Sequence, residues 1–305
     1  MRNTLCALAL LALAAPALAE DAPTIKVGAT IFADYTQQTT APDAFNVSRA
    51  YINVTGNLND HISFRITPDV ARELGAGSSL NGSQELRLKY TFGQYTAGRW
   101  WLRAGVQQTP FVDYSETIYR YRFQGTIFVE RGGYLTSSDA GVSAHYNFAG
   151  DRGDVHAGIY NGEGYSKSEA NDEKALQVRA TLKPAKGVRT TLFIDDDHYA
   201  TGVERTRLVG EATYESKHLN AGFDALRAND RGVTSHGWSA WATPRLGNGW
   251  ELLLRHDDER DRNRNIAGVA YWLKPTCALM TDVDTLTQSG KPRDRRVGLK
   301  FLLAF

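Results

Sequence analysis

Residues 297–305 read Val-Gly-Leu-Lys-Phe-Leu-Leu-Ala-Phe, and this stretch decides the fold. Every second residue back from Phe305 is apolar, whereas Lys300 and Gly298 stand among the intervening positions. A period of two is typical of a β-strand with one apolar face. Because the same alternation recurs along most of the chain, we predict an all-β protein. The two candidate architectures are a closed transmembrane barrel and a secreted β-sandwich that buries its last strand.

The first nineteen residues have the pattern of an export signal. Arg2 precedes the apolar run 5–15, and Ala17-Leu18-Ala19 is a typical cleavage site. Removing this segment takes away one of the 35 basic residues, so 34 remain against 34 acidic residues. This neutral balance argues against a nucleic-acid-binding protein, which would need a basic excess. We therefore expect a signal peptide over residues 1–19 and one domain over residues 20–305.

Alternating segments separated by polar turns fill the rest of the chain. We predict sixteen strands, with fourteen as the alternative count, each near the ~9–11 residues that a tilted membrane-spanning strand needs. The predicted strands are 24–37, 46–56, 61–70, 84–94, 99–108, 139–148, 153–161, 174–184, 188–196, 205–214, 218–226, 236–244, 249–257, 264–273, 276–285 and 295–305. Short turns alternate with longer loops, which favours a transmembrane antiparallel β-barrel with its turns in the periplasm.

In such a barrel, one register of each strand faces lipid and the other faces a polar lumen. Aromatic residues such as Trp100, Trp250 and Tyr271 lie near strand ends in the apolar register, as in the aromatic girdles of membrane barrels. The outward register of the fourth strand is expected to comprise Leu86, Leu88, Tyr90 and Phe92. The inward basic residues, which we expect to line the pore, are Arg49, Arg65, Arg87, Lys89, Arg103, Arg179, Arg207, Arg255 and Lys300.

One connection, residues 109–138, has no clean alternation and is the third long loop of the layout. Long irregular loops are usually functional or disordered, and the aromatic content here argues against disorder. The lumen of a sixteen-stranded barrel is an aqueous channel. We therefore predict that the loop folds inward and narrows the channel; packing on the outer rim or against a neighbouring subunit is the alternative. The predicted constriction residues are Asp113, Glu116, Tyr119, Arg120, Tyr121 and Arg122.

The arginines of this loop bear on ion selectivity. Arginine stays protonated at any accessible pH, so Arg120 and Arg122 would place permanent positive charge in the passage. The flanking tyrosines are expected to narrow the passage and to offer hydroxyl donors. Asp113 and Glu116 oppose the positive charge, so we expect only a weak preference for anions.

Several segments resemble the phosphate-selective porin O and P family. Gly105-Val106-Gln107-Gln108-Thr109-Pro110-Phe111 resembles its G-Q-x-K-x-P-F segment, with Gln108 where the family often has lysine. Further similar stretches are 160–164, 174–179, Lys183-Pro184, 210–214 and Trp250-Glu251-Leu252 with Arg255. The resemblance implies a sixteen-stranded and usually trimeric channel, in which arginine and lysine of the lumen select anions in some members.

A terminal Phe305 on an alternating strand also resembles the signal that outer-membrane proteins present to their assembly machinery. Together these features predict a porin of the Gram-negative outer membrane, through which small hydrophilic anionic or neutral solutes diffuse passively. The expected partners are outer-membrane lipid and lipopolysaccharide, the assembly machinery and two further copies of the chain. The alternatives are an outer-membrane barrel enzyme and a secreted sandwich that binds a ligand. No cofactor, metal or catalytic motif is evident, so we do not expect an enzyme.

Overall fold

The computed structural model describes residues 23–72, 82–200 and 203–305, in which sixteen antiparallel strands form one closed barrel. The predicted export signal lies outside these ranges. The strands are β1 Thr24–Gln38, β2 Ala44–Asn57, β3 Ile62–Arg72, β4 Gln84–Ala97, β5 Trp100–Gln108, β6 Ser138–Asn147, β7 Gly153–Tyr160, β8 Ala175–Ala185, β9 Val188–Ala200, β10 Val203–Glu215, β11 Leu219–Asp230, β12 Val233–Gly247, β13 Trp250–Glu259, β14 Arg262–Lys274, β15 Cys277–Gln288 and β16 Asp294–Ala304. Each strand pairs with its neighbours in sequence.

The barrel closes where β1 pairs with β16. Ile31 lies opposite Leu303 and Asp34 lies opposite Lys300. Past the end of β16, Phe305 extends the ladder, because Ala29 N–H donates to its carbonyl at 2.9 Å and its own N–H donates back at 3.1 Å. The predicted count of sixteen is confirmed. The sandwich alternative is wrong, because a sandwich leaves its sheets open at the edges whereas this sheet has none.

The outer wall carries the apolar register. Val27 is 70% exposed, Leu102 is 53% exposed and Leu299 is 57% exposed, although all three belong to regular strands. Trp100 packs against Tyr146 with 4.4 Å between ring centroids, and both lie near strand ends. An exposed apolar wall with aromatic residues near its ends is what a barrel surrounded by lipid requires.

A β-bulge in β4 corrects one predicted register. Thr67 pairs with Tyr90, but the next residue along, Pro68, pairs with Leu88, so Lys89 is the extra residue. A bulge reverses the alternation beyond it. Leu88 therefore faces outward as predicted, whereas Tyr90 is buried on the inward side, and Phe92 follows it there beneath the Arg103 guanidinium. The prediction that Tyr90 and Phe92 face lipid was wrong.

The connection between β5 and β6 contains two short helices, α1 Val112–Tyr119 and α2 Phe128–Arg131. A 3-10 turn, Ala149–Asp151, joins β6 to β7. Within the described ranges, no helix has the length and hydrophobicity needed to span a membrane.

Candidate pore constriction

Residues 109–137, here called the β5–β6 loop, fold as helix α1, a sharp reversal and helix α2. Helix α1 ends because Arg120 adopts a left-handed conformation with φ of 64°, while its N–H donates to the Glu116 carbonyl. Left-handed backbone is uncommon for arginine, and it turns the chain back within one residue. Arg122, two residues beyond this reversal, forms ion pairs with both Glu116 of α1 and Glu130 of α2.

One side of the β5–β6 loop is apolar and fully buried. Phe111 packs on Phe193 with 5.4 Å between ring centroids, and Tyr119 contacts the edge of Trp241 at 5.3 Å. The strand residues that pack against the loop face the inside of the barrel, opposite the exposed apolar wall. Together with the loop they form one buried apolar cluster. Its strand members include Phe193, Val209, Leu226, Trp241, Leu253, Ile266, Met280 and Leu302. The inward register was expected to be polar, so these apolar residues were not predicted to face the loop.

Hydrogen bonds tie the loop to inward side chains of several strands. Ser115 Oγ donates to Glu211 of β10 at 2.5 Å, and Gln124 Nε2 donates to Asp282 of β15 at 2.9 Å. Loop carbonyls also accept bonds from strand side chains. Arg179 donates to the carbonyl of Pro110 at 2.8 Å, and Asn220 donates to that of Ile118 at 2.6 Å. Arg255 donates to the carbonyl of Thr126 at 2.9 Å, and Arg207 donates to that of Tyr134 at 3.2 Å. The loop thus contacts inward side chains from β8 to β15.

The two predicted loop arginines are both ion-paired. Arg120 lies 3.4 Å from Glu251 and stacks over Trp272. Arg122 bridges Glu116 and Glu130, with 2.7 Å to the latter. Burial disfavours the charged form of Arg122, but Glu130 outweighs it and raises the pKa of the guanidinium above its usual range. The loop arginines therefore carry less free positive charge than the sequence suggested.

The predicted constriction tyrosines do not face a passage. Tyr119 is 1% exposed and Tyr121 is 0% exposed, because both rings belong to the apolar cluster. The Tyr121 hydroxyl donates to Glu251 at 3.0 Å and accepts from Trp272 at 3.2 Å. Their expected role as hydroxyl donors to solutes is thus contradicted by their burial. Asp113 lies in the first turn of α1 and is half-buried.

Beside the loop lies a cavity of about 720 Å³ between α2 and the strands at the β1–β16 closure. Seven cationic side chains line it: Arg49, Arg87, Arg122, Arg131, Arg264, Arg296 and Lys300. The acidic side chains of its lining are Asp34, Asp282 and Asp284. Several of these charges pair with each other, for example Arg264 with Asp284 at 3.1 Å. Even so, cations outnumber acids on the wall.

The nine strand cations that were predicted to line the pore fall into three groups. Arg49, Arg87 and Lys300 line the large cavity. Arg65 and Arg103 line a smaller cavity of about 340 Å³ near the start of β1 and the end of β2. The remaining four are at most 5% exposed, so the expectation that they contact a water-filled passage is wrong; they are Lys89, Arg179, Arg207 and Arg255.

The buried arginines have structural partners instead. Arg179 pairs with Asp154, Arg207 with Asp230 and Arg255 with Asp257. Each also donates to a carbonyl of the β5–β6 loop, as described above. These arginines therefore fasten the loop to the wall of the barrel.

Three arginines of the large cavity were not among the predicted pore-lining residues. Arg131, Arg264 and Arg296 line the large cavity, and the last two have the inward parity of their strands, which was a usable signal. Tyr165 of the β7–β8 connection reaches Arg87 and Asp69 inside the barrel. Nothing in the local sequence predicts that contact. Among the described residues, no group of histidine, cysteine, aspartate and glutamate is arranged to hold a metal ion.

The sequence profile of the phosphate-selective porin O and P family matches residues 25–238. An anion-selective porin from Comamonas acidovorans superposes with a TM-score of 0.72 at 11% identity, over 93% of this chain and 100% of that chain. The trimer form of in-vitro folded OmpT, an outer membrane protein of Vibrio cholerae, gives 0.66 at 13% identity, over 92% and 100%. The outer membrane channel DcaP of Acinetobacter baumannii gives 0.61 at 12% identity, over 93% and 97%.

At these identities the structural likeness shows a shared fold. No curated protein sequence matches the chain. The family profile covers more than two thirds of the 305 residues. The chain therefore belongs to the phosphate-selective porin O and P family.

Proposed function

We propose that this protein is a passive diffusion channel of the Gram-negative outer membrane with a weak preference for anions. The supporting observation is the cavity of about 720 Å³, whose lining contains seven cationic and three acidic side chains. Charges in a narrow lumen act at a lower effective dielectric than in bulk water, so they influence which ions remain there. Small anionic or neutral hydrophilic solutes would pass without any cofactor.

The preference is weak because carboxylates lie close behind the cations. Asp69 pairs with Arg49 at 3.0 Å, and Glu116 and Glu130 both pair with Arg122. The field in the passage is then set by a small excess of positive charge. In this proposal the β5–β6 loop forms the constriction, and the arginines that contact it from β8, β10 and β13 hold it in place.

The outer surface of the barrel indicates the remaining partners of the protein. The exposed apolar wall would be covered by lipid and its rim by lipopolysaccharide, and insertion would need the assembly machinery, to which Phe305 is a predicted signal. A homotrimer is supported by the trimer form of Vibrio cholerae OmpT. We further propose that the protein has no enzymatic activity, in keeping with its membership of a porin family.

The test is a planar bilayer with a KCl gradient across it. Arg49→Ala combined with Arg87→Ala removes two cations from the cavity wall and leaves Asp69 without its ion-pair partner. A guanidinium ~4 Å from a passing anion contributes about 1 kcal/mol in a water-like medium. We therefore expect the reversal potential to shift toward cations and the anion-to-cation permeability ratio to fall several-fold.

Arg260→Ala is the matched control, because Arg260 is exposed after β13 and does not line the cavity. It should leave the reversal potential unchanged. An unchanged potential in a correctly folded double variant would place the cavity outside the ion path. A wild-type channel that prefers cations would contradict the proposed anion preference itself.

A further inference from the structure

Strands β2 and β3 pair along only part of their length. They close the barrel through four residue pairs, the last of which joins Val54 to Ile66. In the described chain, no backbone pair joins residues 44–53 of β2 to residues 67–72 of β3, although both segments remain paired with the strands on their other sides. We call these two segments the β2–β3 seam. With the short turns in the periplasm, the seam lies on the side of the outer leaflet.

Two features of the local sequence favour this gap. Pro68 has no N–H to donate, and proline within a sheet is confined to edges and bulges. Ser48 is the extra residue of a bulge in β2, since Val47 and Arg49 pair with consecutive residues of β1. A bulge bends its strand and disrupts the ladder next to it. Because both features lie in the seam, the missing backbone pairs have a cause in the sequence.

Side chains hold the seam together on the lumen side. Asn53 Oδ1 accepts hydrogen bonds from Arg65 Nη2 at 2.8 Å and from Thr67 Oγ1 at 3.0 Å. Farther along, Arg49 Nη1 donates to Asp69 Oδ2 at 3.0 Å. These bonds connect β2 to β3 where the backbone does not, and they lie on the inner face alone.

The large cavity extends into the seam. Asp69 is buried on the lumen side, so its neighbour Val70 has the outward parity of β3, and yet Val70 lines the cavity. Val47 lines the cavity as well, although it is 41% exposed. Irregular or unpaired backbone at membrane depth is tolerated only where it is buried in protein or lines a water-filled cavity. The cavity therefore reaches between the two strands toward the outer wall.

An apolar groove of about 400 Å³ lies against the outside of the same strands. Its apolar lining residues are Ala33, Tyr35, Phe45, Val47, Leu279, Leu299 and Phe301. The groove and the large cavity share Asp34, Asn46 and Val47 in their linings. A polar cavity and an apolar groove thus meet at β2.

We propose that the β2–β3 seam is a lateral opening through which a single-chain amphiphile passes between the outer leaflet and the lumen. Its alkyl chain occupies the groove, which belongs to the lipid-covered wall, and its polar head lies in the cavity. The volume of the groove is at the lower end of the range for sites that hold one small ligand, which favours one alkyl chain over a two-chain lipid. This route goes beyond the proposed diffusion of hydrophilic solutes and does not depend on an ion preference.

Thiol reactivity in proteoliposomes tests the opening. Val70→Cys, in a Cys277→Ser background, is treated with a membrane-impermeant methanethiosulfonate reagent. Because Val70 lines the cavity, its replacement should react, whereas Leu192→Cys, on the exposed apolar wall of β9, should not. Heat-modifiable migration on gels verifies that each variant is folded. A Val70→Cys variant as unreactive as Leu192→Cys would mean that the wall is closed and would overturn the opening.

The occupant is tested with 1-hexadecanol added to the same liposomes. The alcohol should slow the modification of Val70→Cys several-fold, and hexadecane, which has no polar head, should not. Leu299→Trp fills part of the groove without lining the cavity, so it should remove this protection. Leu192→Trp is the matched control, since it adds the same ring elsewhere on the wall, and it should retain the protection.

The opposite results exclude the amphiphile. Equal protection in Leu299→Trp and Leu192→Trp would mean that the alcohol acts through the bilayer and not in the groove. No protection by the alcohol would show that the groove does not take an alkyl chain. If Phe45→Cys, at a groove residue that is 83% exposed, then forms disulfide-linked dimers, the groove belongs to a contact with a second copy of the chain.

Discussion

Two carboxyl groups oppose each other inside the barrel. Glu211 of β10 and Asp224 of β11 are cross-strand partners, each 4% exposed, and no cation of the described chain forms an ion pair with either. Like charges directly opposed on adjacent strands destabilise a sheet, so ionising both carboxyl groups is unfavourable. Asp224→Asn supplies an amide donor for Glu211 and should raise the free energy of unfolding by about 1 kcal/mol. Urea unfolding of the refolded barrel measures this change.

Asp257→Asn is the control, because we expect it to change the free energy of unfolding in the opposite direction. Asp257 is also buried on the inward face, but it pairs with Arg255 at 2.7 Å. Its neutralisation leaves a buried guanidinium without a partner and should lower stability. If both substitutions lower stability equally, the opposed carboxyls are not a source of repulsion.

At the scale of one element, the β5–β6 loop depends on the ion pairs of Arg122. Burial raises the pKa of the Glu130 carboxyl, but Arg122 outweighs it and holds the pKa below the ordinary 4.5. A carboxyl group whose pKa is lower in the folded than in the unfolded state stabilises the fold at pH values above its unfolded pKa. This stabilisation is lost as the pH falls through its folded pKa. Glu130→Gln should therefore lower the free energy of unfolding by about 2 kcal/mol at pH 7, because Glu116 still pairs with Arg122. At acidic pH the free energy of unfolding should fall by much less.

Thermal unfolding of wild type and Glu130→Gln between neutral and acidic pH measures this dependence. The difference in melting temperature should be largest at neutral pH and should shrink below pH 4.5. Glu204→Gln, at an exposed glutamate near the start of β10, should show no difference. A Glu130→Gln difference that does not change with pH would mean that packing, not charge, explains it.

At the scale of the whole molecule, the barrel separates an apolar outer wall from a charged interior. Leu102 is 53% exposed on the wall, and its neighbour Arg103 points inward to Gln94 and Gln108. An arginine on the lipid face is unfavourable by ~2–4 kcal/mol at the midplane and by less toward the interfaces, whereas lumen substitutions mainly alter selectivity. Leu102→Arg should therefore reduce the folded, heat-modifiable protein in the outer membrane, and Arg103→Ala should not. Equal yields of the two variants would contradict the assignment of Leu102 to the lipid-facing wall and of Arg103 to the lumen.

Much of the architecture was predictable from the sequence because strand alternation is local. The residues from Val297 to Phe305 show which side of β16 is apolar without any knowledge of its neighbours, and the same holds for most strands. Counting such segments was sufficient to predict sixteen strands and a closed barrel. The inward parity of Arg49, Arg87 and Lys300 followed in the same way, and these three residues do line the cavity.

What only the tertiary structure decided depends on contacts between residues distant in sequence. The bulge at Lys89 arises from pairing with β3, so the local pattern of β4 did not reveal that Tyr90 turns inward. Tyr119 and Tyr121 are buried because strands far along the chain present apolar side chains inside the barrel. Tyr165 reaches Arg87 across 78 positions of sequence. A period of two describes one strand, whereas the contents of the lumen depend on how all sixteen strands and their loops meet.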